Sequence, residues 1–160
     1  MKNLCGIKGI GRVKAIQLKA ICELAKRMAR PLQGWQVIVR KPDDIAEILI
    51  EELRYEKREI VKVVILNTKN KILKIQDISI GGPNQASLVP REVLSEAIKM
   101  SAPKIILVHN HPSGDPTPSK SDYQFTDRIF DAAELLGIQM LDHIIIGDGT
   151  YQSIFAKRKE

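Results

Sequence analysis

The stretch that decides the fold is residues 106–122, ILVHNHPSGDPTPSKSD. It begins with apolar residues typical of a buried strand, continues through a loop with three prolines, and ends on a Ser-x-x-Asp signature that typically starts a helix. A strand that leads through a loop into a helix is a building unit of α/β domains. The sequence therefore predicts an α/β fold in which this strand is buried in a sheet.

Two histidines, His109 and His111, end this strand. Alternate side chains point to the same face of a strand, about 6.6 Å apart at ~3.3 Å per residue, so the two imidazoles can converge on one small cation. The proline-rich loop brings the next helix back toward them, and Asp122 in its first turn offers a carboxylate oxygen. Two histidines and one carboxylate, with a fourth position left to water, are the ligand set of a catalytic zinc site.

Each part of this pattern also has an ordinary structural interpretation. A single histidine at the end of a strand more often packs than binds a metal. Ser119 and Asp122 match a capping signature, which explains both residues without any chemistry. The combination in one run (His-x-His, seven residues, Ser, two residues, Asp) is what favours the metal site.

The flanking sequence predicts a mixed sheet with helices packed on it. We expect strands at residues 60–67, 72–80, 104–109, 139–146 and 150–155. We expect helices at residues 43–54, 90–100 and 119–136. The first two strands are separated by a short turn and are expected to pair with each other.

The front of the chain is strongly basic. Residues 1–41 carry ten basic side chains and one acid, whereas residues 42–160 carry fifteen basic and eighteen acidic ones. Gly9-Ile10-Gly11 predicts a tight turn, and apolar residues at helical spacing follow it. This segment resembles a helix-hairpin-helix DNA-binding motif whose first helix is truncated, so its glycines and helix N-terminus would approach a phosphate. A basic helix that only promotes solubility is the alternative interpretation.

We therefore divide the chain into three parts. Residues 1–31 form the partial, basic helix-hairpin-helix segment, and residues 1–30 would supply any contact with DNA. Residues 32–42 read as a linker, because they contain Gly34 and Pro42. Residues 43–160 form the main domain.

Composition excludes several classes of protein. No window approaches eighteen consecutive apolar residues and no signal peptide is visible, so the sequence predicts neither a membrane span nor secretion. Cys5 and Cys22 are too few for a disulfide scaffold and form no CxxC pair, which favours the reducing cytoplasm. Aromatic residues make up 4% of the chain, which argues against binding single strands by base stacking.

The run HNHPSGDPTPSKSD resembles the JAMM motif of the MPN-type zinc metalloproteases, and it resembles most closely the RadC branch of that superfamily, long labelled a DNA repair protein. The similarity extends to VPREVLSEAI at residues 89–98 and LDHIIIGDG at residues 141–149. Asn110 stands where the broader superfamily often has serine or threonine. This departure is usual for the RadC branch, and it argues against ubiquitin-type substrates.

The resemblance implies a JAMM/MPN-like α/β domain that hydrolyses a peptide or isopeptide bond of a protein substrate. His109, His111 and Asp122 would bind zinc, and Ser119 would stabilise the developing oxyanion. An upstream glutamate would accept the proton of the attacking water. Glu59, directly before the first strand, fits that position, and its rivals are Glu51, Glu52 and Glu56.

Other interpretations stay open at this point. His143 is expected to pack beside the site, with Asp142 as a possible neighbour, and Asp115 is expected to form a turn. The chain could instead be a non-enzymatic DNA-binding module whose metal site is structural. A deaminase would need a PCxxC-type ligand pair and a nuclease several carboxylates, so both are disfavoured.

Overall fold

The computed structural model describes residues 6–29, 37–80 and 88–157 of the 160-residue chain. The chain divides into two compact units, Met1–Gly34 and Trp35–Glu160. In the first unit, a turn at residues 6–9 leads into helix α1, Arg12–Ala29. Among the described residues, no helix combines the length and apolarity that crossing a membrane requires.

The second unit is an α/β domain, as the sequence predicted. Its strands are β1 (Ile60–Leu66), β2 (Ile72–Ile80), β3 (Lys104–Asn110), β4 (Gln139–Ile146) and β5 (Tyr151–Ser153). Its helices are α2 (Pro42–Leu53), α3 (Pro90–Lys99), α4 (Lys120–Leu135) and α5 (Ile154–Lys157). Before α2, Ile38 forms an isolated bridge with Lys71, so residues 37–41 of the predicted linker lie against the β1–β2 turn.

The five strands form one mixed sheet in the order β2-β1-β3-β4-β5. Strands β3 and β4 are parallel and are joined by α4, whereas the other neighbours are antiparallel. The predicted pairing of the first two strands is confirmed. Asn67 stabilises their turn, because its side-chain oxygen accepts hydrogen bonds from the backbone N–H groups of Lys69 and Lys71.

Helices cover both faces of the sheet, which explains why β1 is buried along its whole length. The apolar layer between one face and helices α3 and α4 includes Val61, Val63, Ile105, Leu107, Phe125 and Ile129. The layer between the other face and α2 includes Ile45, Leu49, Val64, Ile106, Val108 and Ile144. Strand alternation therefore sends successive residues of β3 to opposite layers.

A β-bulge in β4 changes which side chains face α4. Ile105 pairs with Met140, but the next residue, Ile106, pairs with Asp142, so Leu141 is an extra residue in β4. Met140 and His143 would lie on opposite faces of a regular strand. The bulge places both on the face that α4 covers.

The predicted last strand, residues 150–155, is wrong at its end. Strand β5 stops at Ser153, and residues 154–157 form α5 instead. The hydroxyl of Ser153 donates to the carboxylate of Asp142 and accepts the backbone N–H of Ala156 at 3.0 Å. This is an N-cap contact, and it starts a helical turn where apolar residues alone favoured a strand.

Candidate metal centre

The end of β3 places the two histidines on the face that α4 covers. His109 is fully buried, and it pairs with Val61 on one side and Ile145 on the other. His111 lies one residue beyond the strand, and its backbone N–H donates to Ile146 at 2.9 Å, which continues the strand geometry. Asn110, between the two histidines, points to the opposite layer by strand alternation.

The loop after His111 is held against the turn between β4 and β5. Gly114 adopts φ +87°, and its carbonyl accepts the backbone N–H of Asp148 at 2.9 Å. A Cβ atom on Gly147 would lie 2.2 Å from that carbonyl oxygen. Because only glycine permits this close approach, Gly147 helps to fix the loop that joins His111 to α4.

The first turn of α4 brings a carboxylate to the histidines. Ser119 caps the helix: its hydroxyl accepts the backbone N–H of Asp122 at 3.2 Å. Its own backbone N–H donates to Oδ2 of Asp122 at 2.6 Å. The capping box predicted from the sequence is thus present, and it orients the same carboxylate that faces the histidines.

Three polar side chains converge where β3, the loop and α4 meet. The Nε2 atoms of His109 and His111 lie 3.1 Å apart. Oδ1 of Asp122 lies 3.4 Å from Nε2 of His109, and its Oδ2 lies 3.4 Å from Nε2 of His111. Ligand atoms about 2.0–2.1 Å from a tetrahedral zinc ion are separated by about 3.3–3.4 Å. One ligand atom from each of the three residues lies within 4.8 Å of the other two, so the cluster could hold such an ion.

The electrostatics of the cluster suit a cation. Burial lowers the pKa of His109 despite the nearby carboxylate of Asp122. The hydrogen bond with Asp122 raises the pKa of His111, and the carbonyl of Asp115 adds to this effect. Burial acts to raise the pKa of Asp122, but hydrogen bonds with the two histidines and Ser119 outweigh it and hold this pKa far below its ordinary value. Asp122 is therefore a carboxylate at neutral pH, the form that binds metals.

Both histidines are oriented through their other ring nitrogen. Nδ1 of His111 lies 2.8 Å from the backbone oxygen of Asp115. Nδ1 of His109 lies 2.7 Å from Nε2 of His143, whose own Nδ1 lies 2.7 Å from the hydroxyl oxygen of Thr126. The Nε2 atoms of His109 and His111 consequently face the point where a cation would bind.

Glu59 lies directly before β1 and is half-buried. Its negative charge contributes to raising the pKa of His111, so it lies within electrostatic reach of the cluster. Two of its rivals are engaged elsewhere: Glu51 pairs with Arg54 at 3.1 Å, and Glu52 pairs with the buried Lys62 at 3.3 Å. Glu59 therefore stays the preferred candidate for a general base.

Asn110 connects the cluster to the segment that carries Glu59. Its side-chain oxygen accepts the backbone N–H of Ile60 at 2.8 Å. Its amide nitrogen donates to the carbonyls of Glu56 and Arg58, at 3.4 and 3.1 Å. A serine hydroxyl carries one hydrogen and cannot make these contacts simultaneously.

The ligand cluster was predictable from the sequence, whereas several of the contacts around it were not. His109, His111 and Asp122 come together and form a group that could hold a metal ion. Asp142, expected as a possible neighbour of His143, accepts the backbone N–H of that residue with its carboxylate and also accepts from Ser153. Asp115 does form a turn, accepting the N–H of Thr117, but its backbone carbonyl also orients His111.

The roles of two residues at the site, Asn110 and Thr126, went unpredicted. The three backbone partners of Asn110 are distant in sequence, and no local pattern indicates them. The position of Thr126 could have been found, because it lies four residues after Asp122 and therefore on the same face of a helix.

Comparison with known families agrees with this geometry. A family model described as the RadC-like JAB domain matches residues 39–160. The chain belongs to this family. The matched residues include His109, His111 and Asp122. The family resemblance inferred from the sequence is therefore confirmed.

Curated relatives extend the similarity over nearly the whole chain. A UPF0758 protein of Caldanaerobacter subterraneus subsp. tengcongensis is 52% identical over 149 residues, which cover 93% of this chain and 64% of the relative. A UPF0758 protein of Desulforudis audaxviator is 45% identical and covers 96% of this chain and 67% of the relative. A UPF0758 protein of Alkaliphilus metalliredigens is 47% identical, with 98% and 68% covered. The chain thus spans about two thirds of the length of these curated relatives.

Proposed function

We propose that this RadC-like JAB domain is a zinc-dependent hydrolase that cleaves a peptide or isopeptide bond in a protein substrate. The observation that carries the proposal is the convergence of His109, His111 and Asp122, whose ligand atoms lie within 4.8 Å of one another, in the ligand set of a catalytic zinc site. The reducing interior favoured by the cysteine content makes the cytoplasm its expected location.

The ligand set supports a catalytic rather than a closed structural site. The cluster offers three protein ligands, and a structural zinc ion more often has four. His109 is fully buried, but the side chain of His111 keeps 18% of its surface exposed. Solvent can therefore approach the cluster from the side of His111, as a catalytic site requires.

When bound, zinc would lower the pKa of a coordinated water molecule to about 7 and polarise a substrate carbonyl. Glu59 would accept the proton from water and return it to the leaving amine. Ser119 is exposed at the N-cap of α4, and its hydroxyl would donate a hydrogen bond to the developing oxyanion. The hydroxyl oxygens of Ser119 and Ser121 lie 2.8 Å apart, and this contact is at the exposed surface rather than in the interior.

The test combines metal content with cleavage. Purified full chain should contain close to one zinc per molecule and should cleave members of a peptide and isopeptide library, read by mass spectrometry. A chelator should abolish the cleavage and added zinc should restore it. His109→Ala should lose both metal and cleavage, whereas Leu73→Ala, at a solvent-exposed position of β2, should keep both. Absence of bound zinc, or cleavage that a chelator leaves unchanged, would contradict the proposal.

DNA binding through the first unit is a second candidate function. Ile10 N–H donates to the carbonyl of Ile7 at 3.0 Å and Gly9 adopts φ +90°, so the predicted tight turn is present before α1. Lys8 and Arg12 flank the turn and are exposed, and the first turn of α1 contains no acid. This arrangement supports binding of a phosphate at the helix N-terminus.

Its test is independent of the metal. Branched DNA should shift in a gel with the wild-type chain, and the shift should weaken steeply with salt. Lys8→Gln combined with Arg12→Gln should weaken the shift, and chelator should have no effect on it. Unchanged binding by the double variant would exclude the turn as the contact.

A further inference from the structure

The third histidine of the chain, His143, contacts the metal cluster without belonging to it. It is fully buried on β4, on the face that the β-bulge turns toward α4. The edge of Phe125 packs beside it, with ring centroids 6.0 Å apart. Its two ring nitrogens contact His109 and Thr126, each at 2.7 Å.

The hydroxyl of Thr126 determines the direction of these hydrogen bonds. Its oxygen lies 2.6 Å from the backbone carbonyl oxygen of Asp122, four residues earlier in α4. A carbonyl only accepts, so the single hydroxyl hydrogen of Thr126 is donated there. The same hydroxyl oxygen must then accept from Nδ1 of His143, which places a proton on Nδ1 of that ring.

The direction carries through to the metal ligand. With its proton on Nδ1, the neutral ring of His143 presents a lone pair at Nε2. This lone pair accepts from Nδ1 of His109 at 2.7 Å. The proton of His109 is thereby held on Nδ1, and its Nε2 presents a lone pair to the cluster.

Without this arrangement, the cluster itself would favour the wrong tautomer. Oδ1 of Asp122 lies 3.4 Å from Nε2 of His109 and would attract a proton to that nitrogen. A proton on Nε2 occupies the position that a metal ion needs. Nothing else in the contacts described for the His109 ring supplies an acceptor at Nδ1 besides His143.

We infer that His143 and Thr126 are positioning residues that fix the tautomer and orientation of His109 as a metal ligand. The inference deepens the proposed function and rests on it for the identity of the metal. The two contacts of His143 also tie α4 to β4 and β4 to β3, so they hold together the elements that supply Asp122 and His109.

The first test reads the tautomer directly in the metal-free protein. Long-range ¹H–¹⁵N NMR of histidine-labelled full chain, under mildly alkaline conditions, distinguishes protonated from unprotonated ring nitrogens. We expect His109 to carry its proton on Nδ1 in the wild type. In His143→Phe, we expect a mixture or a shift toward Nε2. A wild-type His109 with its proton on Nε2 would overturn the inference.

The second test measures the affinity for zinc alone, by competition with a chromophoric chelator. Loss of a hydrogen-bond partner of a metal-ligating histidine typically weakens binding by about 10–100-fold. We expect a loss in this range for His143→Phe and a smaller loss for Thr126→Val, which removes the hydroxyl at nearly constant volume. Thr126→Ser keeps the hydroxyl and should bind zinc like the wild type.

Ile129→Val is the matched control. Ile129 is fully buried on α4 in the same apolar layer but has no polar group, so this variant should lose stability without losing zinc affinity. If His143→Phe does not fold, as judged by circular dichroism, Thr126→Val decides the question. Wild-type zinc affinity in every folded variant without the Thr126–His143 contact would overturn the inference.

These readouts are independent of turnover. A chain with the expected tautomer and zinc affinities but no peptide-bond cleavage would contradict the hydrolase and leave the role of His143 intact. Cleavage together with wild-type zinc affinity in His143→Phe and Thr126→Val would support the hydrolase and contradict the role of His143.

Discussion

The side chain of Asn110 donates a hydrogen bond to the backbone carbonyl of Arg58, at 3.1 Å. Asn110 lies between the two histidines, and Arg58 immediately precedes Glu59 in the sequence. One amide thus links the strand end that carries the metal ligands to the segment that carries the candidate general base. We therefore expect the distance between Glu59 and the ligand cluster to depend on this link.

Replacing Asn110 should therefore affect catalysis more than metal binding. Asn110→Ser leaves backbone groups near Glu59 without their partners, which costs about 1–3 kcal/mol of stability and displaces the base. We expect cleavage to fall by about 10–100-fold, with zinc affinity close to that of the wild type. Val108→Ala, which truncates a buried residue on the same face of β3, should lose stability but keep the cleavage rate per folded molecule. Equal losses of rate in the two variants would argue against the link.

Glu59→Gln should retain zinc and lose hydrolysis. The amide keeps the size of the side chain but cannot accept the proton of water, and general-base catalysis typically contributes about 10²–10⁴-fold. Steady-state cleavage and zinc content, measured on the same preparation, check this prediction. Glu56→Gln is the matched control in the same segment; if it loses activity and Glu59→Gln does not, Glu56 is the base.

Gly147→Ala should disturb the ligand cluster through the loop that follows His111. The added Cβ would lie 2.2 Å from the carbonyl oxygen of Gly114, so the loop that joins His111 to α4 must shift. We expect a loss of at least about 1–3 kcal/mol in stability and weaker zinc binding. Gly11→Ala, where a Cβ meets no atom within 4 Å, should change neither property. Urea unfolding and chelator competition measure the two effects.

Zinc should stabilise the folded chain. A ligand that binds only the folded state adds about 2.7 kcal/mol at a free concentration of 100 times Kd. Thermal unfolding should therefore shift to a higher Tm with zinc and return with chelator. His109→Ala should show no zinc-dependent shift, and a shift that persists in this variant would locate the bound metal elsewhere.

Acid should remove the contribution of Asp44 to stability. Its carboxylate accepts the backbone N–H groups of Arg40 and Lys41, at 2.6 and 3.1 Å, and these bonds lower its pKa below the ordinary 3.8. A lowered folded-state pKa means that the stabilisation is present above pH 3.8 and is lost as the pH falls through the folded value. In urea unfolding, Asp44→Ala should be about 1 kcal/mol less stable at neutral pH, and the difference should shrink in acid. A difference that does not change with pH would exclude the charged form as its cause.

Much of the fold could be predicted because local patterns carried the information. Apolar runs located the strands, and Pro90 and the Ser119 signature located the starts of two helices. The ligand cluster was also local, since His-x-His and a capping aspartate lie within fourteen residues of one another. The exception was the chain after Ser153, where the cap formed by that residue prevailed over strand propensity.

The rest of the site depended on contacts between distant segments. The partners of Asn110 lie about fifty residues away, and the contact between His109 and His143 spans 34 residues. A histidine inside a strand pattern indicates burial, but it does not indicate which face the side chain takes. The extra residue in β4 sets the face on which His143 lies, and no hydrophobic periodicity predicts that residue.

That extra residue makes Leu141 a position of β4 whose removal the pairing with β3 would tolerate. Without it, Met140 would still pair with Ile105 and Asp142 with Ile106, so both would keep their present layers and the strand would alternate regularly. Deleting Ile144 instead would, with the end of the strand kept in register, turn His143 into the layer under α2 and away from His109. Tolerance of single-residue deletions along β4 would thus map where its register is enforced.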